Sequence, residues 1–375
     1  MLDSVKPCIL LSGVNVTEMG PLAVFTDALA SVVTNHGSEY EVVALVHRRD
    51  LFHVPGVTYL EFPYVKSSWL ARLNFEYRSV KEISLRLKPR VWLSMHDMTP
   101  NVFAQVRAVY CHNPAPFYPF HFSEALLDWQ FGLFTLFYRF LYGINIHSND
   151  FVIVQQNWMR EQFSLRYGVQ NVVVAHPDVK LPSFTKGCGR KQVGSLYRFF
   201  YPAFPRTFKN VEVCLEASRI LQRRGFSRFE MWLTLDASVN KYASDMVKRY
   251  SDVRSVRWLG LLPRDRIFEL YQDADCLLFP SKLESWGMPI TEFRTLGKPI
   301  IVSDLPYAHE TAAGHKQVAF FDPEEPEDLA NLMEKAATGQ PVFAAAPEVN
   351  IREPFARNWS ELWSLLLQDR LRTGK

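Results

Sequence analysis

The sequence has little of what marks secreted, fibrous or nucleic-acid-binding proteins. Its five cysteines, Cys8, Cys111, Cys188, Cys214 and Cys276, are odd in number and scattered, and no C-x-x-C pair occurs. That usage argues against a disulfide framework or a zinc site and for a reducing compartment. An excess of one charge is also missing. The 42 Lys and Arg stand against 39 Asp and Glu, a net +3 that is too mild for a chain whose main partner is a nucleic acid. The longest apolar stretch, Leu126–Ile146, is interrupted by Asp128 and Arg139, whereas a membrane span needs about 20 predominantly apolar residues. The early run Cys8–Leu11 is too short for a signal-peptide core. Internal repeats and low-complexity tracts are absent too. The expectation is a cytoplasmic protein, either free or peripheral on the inner face of the cytoplasmic membrane.

What is present suits a globular enzyme. Hydrophobic types make up 48% and charged types 22% of 375 residues, a length that divides into two domains at roughly 100–200 residues each. Aromatics reach 14%, more apolar flat surface than a core usually needs. Short apolar runs alternate with amphipathic segments almost throughout. Strand-like runs are Cys8–Gly13, Glu41–His47, Val91–His96, Ala108–His112, Phe151–Gln155 and Val172–His176, with helical periodicity over Leu22–Asn35, Phe75–Leu87, Glu124–Tyr142 and Trp158–Tyr167. After Pro177–Ser195, which reads as a linker, the alternation resumes with Leu196–Ala203, Glu230–Asp236, Val256–Leu262, Cys276–Pro280, Pro299–Ser303 and Val318–Phe321. Continuous apolar strands separated by helices predict parallel sheets covered on both faces. Two doubly wound α/β domains follow, with the active site expected in the cleft between them, at the carboxyl ends of the strands. The tail Phe355–Leu371 reads as an amphipathic helix with Trp359, Leu362, Trp363 and Leu366 on one face.

The densest chemistry lies in Phe279-Pro-Ser-Lys-Leu-Glu-Ser-Trp-Gly-Met-Pro-Ile-Thr-Glu292. A buried strand ends, a loop carries Glu284, and Gly287 precedes a helix that Pro289 can open. Unpaired backbone N–H groups at such an entry suit a diphosphate. Glu284 and Glu292 can accept from the hydroxyls of two parts of one ligand, or can simply be acids near a helix start, where they are favoured anyway. In Asp273-Ala-Asp275, Asp275 fits a backbone-capping role better than metal ligation, and no metal site is expected.

Glu284 and Glu292 match the E-x7-E motif, and this segment resembles retaining GT-B glycosyltransferases, most closely glycosyltransferase family 4 of the polysaccharide and O-antigen type. Phe279-Pro-Ser, Gly297-Lys-Pro-Ile-Ile-Val-Ser-Asp304 and Ala203-Phe-Pro-Arg-Thr-Phe-Lys-Asn210 carry the same likeness, strongest over residues 198–336. The resemblance implies two Rossmann-like domains facing each other across a cleft. Residues 1–180 would bind the acceptor, completed by a helix over 353–375, and residues 195–350 would bind the nucleotide sugar. It also implies roles. Glu292 would hold ribose hydroxyls and Glu284 donor-sugar hydroxyls, Lys209 would neutralise the diphosphate, and the amides of Gly287 and Met288 would lie near it. Arg206 would reach the same phosphate or stay at the surface, since the family's Arg lies about two residues earlier, where this chain has Phe204. Gly20, in the loop after the first strand, would contact the diphosphate. His112, ending a strand, would hydrogen-bond the donor sugar or carry developing charge, and His96 and Asp97 would meet acceptor hydroxyls.

The implied activity is transfer of a hexose from a GDP- or UDP-linked donor to a glycan or lipid-linked saccharide, with retention, without metal and without a cofactor. The alternatives are a nucleotide-sugar epimerase or hydrolase of the same fold, or a non-catalytic glycan- or nucleotide-binding scaffold. Lys66–Arg90 holds seven Lys and Arg near Trp69, Leu70, Leu73 and Phe75. With the aromatic stretches Phe117–Phe122 and Trp129–Tyr142, it reads either as an anionic membrane surface or as a basic helix beside core aromatics.

Overall fold

A computed structural model of the chain describes residues 6–17, 19–118, 129–178 and 196–368. The described residues form two compact units. One takes in residues 6–117, 135–178 and 351–368, the other 118, 129–134 and 196–350. The expected linker lies almost wholly outside the described residues.

The first unit is built on strands β1 (Cys8–Gly13), β2 (Glu41–Val46), β3 (Val57–Glu61), β4 (Val91–Ser94), β5 (Val106–Cys111), β6 (Phe151–Val154) and β7 (Val172–Ala175). With Phe355–Ala356, they form one all-parallel sheet. Its order is β3-β2-β1-β4-β5-β6-β7 followed by the Phe355–Ala356 strand. Alternate residues of β1 feed opposite faces, as the two-residue period of a strand requires. Ile9 and Leu11 enter a core with Phe25, Ala28, Leu29 and Val32 of the helix Met19–His36. Cys8 and Leu10 enter another with Phe75 and Val80. Burial on both faces is why β1 reads as an unbroken apolar run.

The tail differs from the expected continuous helix. Phe355–Ala356 pairs with β7, and the helix runs only over Trp359–Leu367. Pro354 favours extended backbone just before that strand, and the Asn358 side chain accepts from the Glu361 N–H at 2.9 Å, setting the helix start. Trp359, Leu362, Trp363 and Leu366 join the core of β1, and Trp363 Nε1 donates to the Ala28 carbonyl at 3.3 Å. The helix expected over Phe75–Leu87 is also divided: Trp69–Asn74 is α-helical, Phe75–Ser79 is a π turn and Val80–Leu87 is α-helical again.

The second unit holds β8 (Tyr197–Tyr201), β9 (Phe229–Leu233), β10 (Val256–Trp258), β11 (Cys276–Phe279), β12 (Ile300–Ser303) and β13 (Val318–Phe321). They lie in the order β10-β9-β8-β11-β12-β13, again all parallel. Both sheets therefore reverse their direction of winding once, between β1 and β4 in the first unit and between β8 and β11 in the second. Beyond the carboxyl ends of those strands two loops part, and ligands of doubly wound sheets settle there.

Candidate active site

In the second unit the reversal point carries Lys209, on the loop leaving β8, and Glu284, on the loop leaving β11. Lys209 Nζ donates to Glu284 Oε1 at 2.5 Å, with the two side chains 19% and 13% exposed. Local chain chemistry fixes this meeting. Lys209 ends a single 3-10 turn, Thr207–Lys209, and Asn210 follows in the left-handed region at φ 53°. Asn tolerates that conformation better than most residues. Its buried amide donates to the carbonyls of Pro280 at 3.2 Å and Pro323 at 2.8 Å, tying the two loops together. Tyr201 Oη donates to the Lys209 carbonyl at 2.9 Å, and the Lys282 N–H to the Phe208 carbonyl at 2.8 Å.

Gly287 opens the helix Met288–Arg294 at φ 88°, where a side chain is strained, and an added Cβ would also press on Ile290 at 3.2 Å. Glu292 lies on that helix in a network separate from Glu284. Its Oε1 accepts from Arg264 at 2.8 Å and its Oε2 from Tyr271 Oη at 3.0 Å, with 7% of the residue exposed. Burial pushes the Glu292 carboxyl above its usual range, and the Arg264 guanidinium works against that shift. That Arg264 and Tyr271 are the partners of Glu292 was not legible in the sequence. Arg264 did leave a trace: it is the first residue of the helix Arg264–Asp273, where a cation opposes the helix dipole. Arg206 is exposed and stands over the Phe204 ring at 5.8 Å. Asp275 Oδ2 accepts the Arg198 N–H at 2.8 Å, joining β11 to β8.

The first unit gathers its titratable groups at its own reversal point. His96 follows β4, and its Nε2 lies 3.2 Å from Ser12 Oγ and 3.2 Å from Glu76 Oε1. His96 and Glu76 are fully buried, and Arg72, itself buried, donates to the His96 carbonyl at 3.0 Å. Burial pushes the Glu76 carboxyl up to about 8 and holds the His96 imidazole well below its usual value. Glu76 stands in the π turn, an irregularity frequent near functional sites.

Asp97 sits at φ 69°, and its Oδ1 accepts from the N–H groups of His112 at 2.8 Å and Asn113 at 3.1 Å, and from Tyr142 Oη at 3.0 Å. His96 and Asp97 were expected to meet acceptor hydroxyls. In the structure both are buried: His96 Nε2 faces Ser12 and Glu76, and Asp97 Oδ1 holds the start of the loop after β5. His112 keeps a quarter of its side chain exposed.

Gly13, the last residue of β1, carries the close approach, since an added Cβ would stand 2.6 Å from the Phe25 ring; Gly20, expected in the loop, instead lies in the first turn of the helix Met19–His36 with nothing within 4 Å of one. In the basic segment Lys66, Arg78, Lys81, Arg86 and Lys88 are exposed, Arg90 is half-buried and Arg72 is buried, while Phe117, Tyr138 and Tyr142 of the neighbouring aromatic stretches are buried. Apolar side chains reach solvent as well. Leu70 is 79% and Phe140 70% exposed, with Trp69, Leu136 and Phe137 exposed as well and Trp69 set edge-on to Phe137 at 4.8 Å. Among the described residues no helix is long and apolar enough to cross a membrane, and no group of His, Cys, Asp and Glu is placed to hold a metal ion.

Residues 190–352 match the family described as Glycosyl transferases group 1. A stretch of 78 residues is 32% identical to the serotype-specific mannosyltransferase WbdA of Escherichia coli, covering 21% of this chain and 9% of that protein. The chain thus matches less than a tenth of that relative's length. Among solved structures, the lipopolysaccharide-biosynthesis glycosyltransferase WaaG superposes with a TM-score of 0.62 at 13% identity, covering 98% of this chain and 95% of its own. Sucrose-phosphate synthase from Thermosynechococcus elongatus gives 0.63 at 14%, covering 89% and 90%. HepE from Anabaena, solved with UDP and glucose, gives 0.56 at 14%, covering 88% and 89%. At these identities the likeness carries the fold, which is GT-B.

Proposed function

We propose, from the premise that residues 190–352 are a glycosyl transferases group 1 domain, that this chain moves a hexose from a GDP- or UDP-linked donor onto a glycan or lipid-linked saccharide. The observation that carries the reading is the meeting of Lys209 with Glu284 beyond the carboxyl ends of β8 and β11. A cation for a diphosphate and an acceptor for sugar hydroxyls stand side by side where a doubly wound sheet takes its ligand. Glu292 holds the ribose hydroxyls. Arg264 and Tyr271 each occupy one of its oxygens and fix its plane, leaving further lone pairs for the ligand. The WbdA relatives are mannosyltransferases and HepE carries UDP with glucose, which supports a hexose without choosing the base.

In the proposed reaction the bond between the anomeric carbon and the diphosphate oxygen breaks, and an acceptor hydroxyl attacks on the same face. The departing phosphate takes the hydroxyl proton, so configuration is retained and no metal is required. Lys209, the amides of Gly287 and Met288, and Arg206 from the loop rim meet the charge that grows on the leaving group. Such pre-placed donors favour the transition state over the ground state. His112 faces the sugar, its main chain fixed by Asp97. Gly20 closes on the diphosphate. The exposed Trp69, Leu70 and Phe140, with Lys66 nearby, rest on an anionic membrane surface where a lipid-linked acceptor would be found.

Incubation with a panel of nucleotide sugars, with and without acceptor, tests the reading. Nucleoside diphosphate released only with acceptor supports transfer. Turnover without acceptor points instead to an epimerase or hydrolase, and binding without turnover to a scaffold.

A further inference from the structure

The Lys209–Glu284 pair is more than two adjacent ligand contacts, because the two groups are bonded to each other. Among the described residues, Glu284 is the one carboxylate within ion-pair distance of Lys209. The contact is largely withdrawn from water and flanked by the rings of Phe208 and Phe279, whose centroids lie 5.5 and 5.9 Å from Nζ. Apolar walls and low exposure strengthen such a pair beyond an ordinary surface bridge. The buried hydroxyls of Tyr201 and Tyr307 are close enough for the Glu284 charge to oppose their ionisation. Both donate to main-chain carbonyls, those of Lys209 at 2.9 Å and Ser281 at 2.7 Å. Neither hydroxyl is therefore at hand to compensate Glu284 when Lys209 is drawn away.

We propose that Glu284 competes with the diphosphate for Lys209, so that the site selects a glycosyl diphosphate over a bare nucleoside diphosphate. The inference rests on the reading that Lys209 receives the diphosphate. A diphosphate that draws Lys209 toward itself loosens the Lys209–Glu284 bond and sets a carboxylate beside a second anion, an unfavourable meeting in a partly desolvated loop. A sugar on the same ligand reverses the balance, since its hydroxyls donate to Glu284 in place of the ammonium. After transfer those hydroxyls depart with the glycosyl group. Glu284 then returns to Lys209 and the spent nucleotide is displaced. Glu284 makes and breaks no covalent bond in this sequence; it sets which ligand is held.

Isothermal titration of the full chain with UDP, GDP and their hexose conjugates tests the proposal, comparing wild type with Glu284→Gln and Glu284→Ala. Wild type should bind its sugar nucleotide about tenfold or more tighter than the matching nucleoside diphosphate, and either substitution should tighten the bare diphosphate about tenfold. The inhibition constant of the nucleoside diphosphate in turnover assays should fall in step. Thermal melting of both variants checks that each is folded. Should wild type bind the two ligands equally, or should both variants bind the bare diphosphate no better, the competition is overturned while glycosyl transfer stands. Should wild type bind none of the four, the functional reading and this inference fall together.

Discussion

Asp97 holds His112 by its main chain. Asp97 Oδ1 accepts the His112 N–H at 2.8 Å, and His112 Nδ1 stands 3.7 Å from the same oxygen. One carboxylate oxygen thus fixes the end of β5, while its other partners, the Asn113 N–H and Tyr142 Oη, fix the loop that follows. Asp97→Ala should cost about 2–4 kcal/mol of stability and lower turnover. Asp97→Asn, which tolerates the left-handed backbone and keeps an acceptor, should lose less of both. Urea unfolding and kcat of the two variants check the order.

The two carboxylate networks of the second unit and the histidine of the first should separate in binding and rate. Glu292→Ala should weaken nucleotide binding about 10–100-fold and leave Arg264 and Tyr271 without their shared acceptor. His112→Ala should leave donor affinity nearly unchanged and lower kcat about 100-fold or more. Titration calorimetry beside steady-state kinetics reads the difference. Equal loss of donor affinity in both variants contradicts the assignment.

Gly13 and Gly20 should respond unequally to alanine. At Gly13 the new methyl meets the Phe25 ring at 2.6–2.9 Å, and stability should fall by about 1–3 kcal/mol, with partial recovery when Phe25→Leu is added. Gly20 is in the first helical turn with open space beyond its chain neighbours, but Pro21 follows it and crowds a Cβ there, so alanine should change stability by no more than about 0.5 kcal/mol. If the backbone there closes on the diphosphate, that folded variant should bind the donor more weakly. Melting curves with and without UDP measure both effects.

The buried pair of Glu76 and His96 makes stability depend on pH. Glu76 keeps its proton to about pH 8 when folded, against an ordinary value of 4.5. Between those limits the folded chain holds a proton that the unfolded chain has lost, so this group lowers stability as pH rises. His96, held neutral well below 6.5, has the opposite sign and costs stability as pH falls through 6.5. From 6.5 to 8 the Glu76 slope stands alone within the pair, at no more than about 1.4 kcal/mol per pH unit. Glu76→Gln should flatten that decline in denaturant titrations repeated across the range.

The exposed apolar residues predict membrane affinity. Wild type should sediment with vesicles rich in anionic phosphatidylglycerol. Leu70→Asp combined with Phe140→Asp should reduce the bound fraction about tenfold, while uncharged vesicles should retain little of either protein. Equal sedimentation of variant and wild type would assign the patch to another partner.

The parts of the fold that could be read from the chain are those buried on both faces. β1, β4 and β11 stand out because every residue in them is inside. β3 escaped the reading because it is an edge strand of partly exposed residues and shows no apolar run. The loop carrying Glu284 was legible since its parts are close in sequence. The partners of Glu292 were not: Tyr271 reads as a core aromatic, and only folding brings its hydroxyl across 21 residues to the carboxylate. The burial of His96 was hidden for the same reason, because Ser12 lies 84 residues away. A strand-end histidine looks the same on paper whether its ring meets a ligand or a serine.

The return of residues 355–367 to the first sheet has a consequence for how the protein is made. While the chain is being synthesised, β7 keeps a bare edge and Ala28 and Leu29 an uncovered flank until the Trp359–Leu367 segment has left the ribosome. The second unit can close first, although it is translated later. A gene fragment ending at residue 178 would encode every long strand of that sheet and still yield a sticky, unfinished product, which appending residues 351–368 through a flexible tether should rescue.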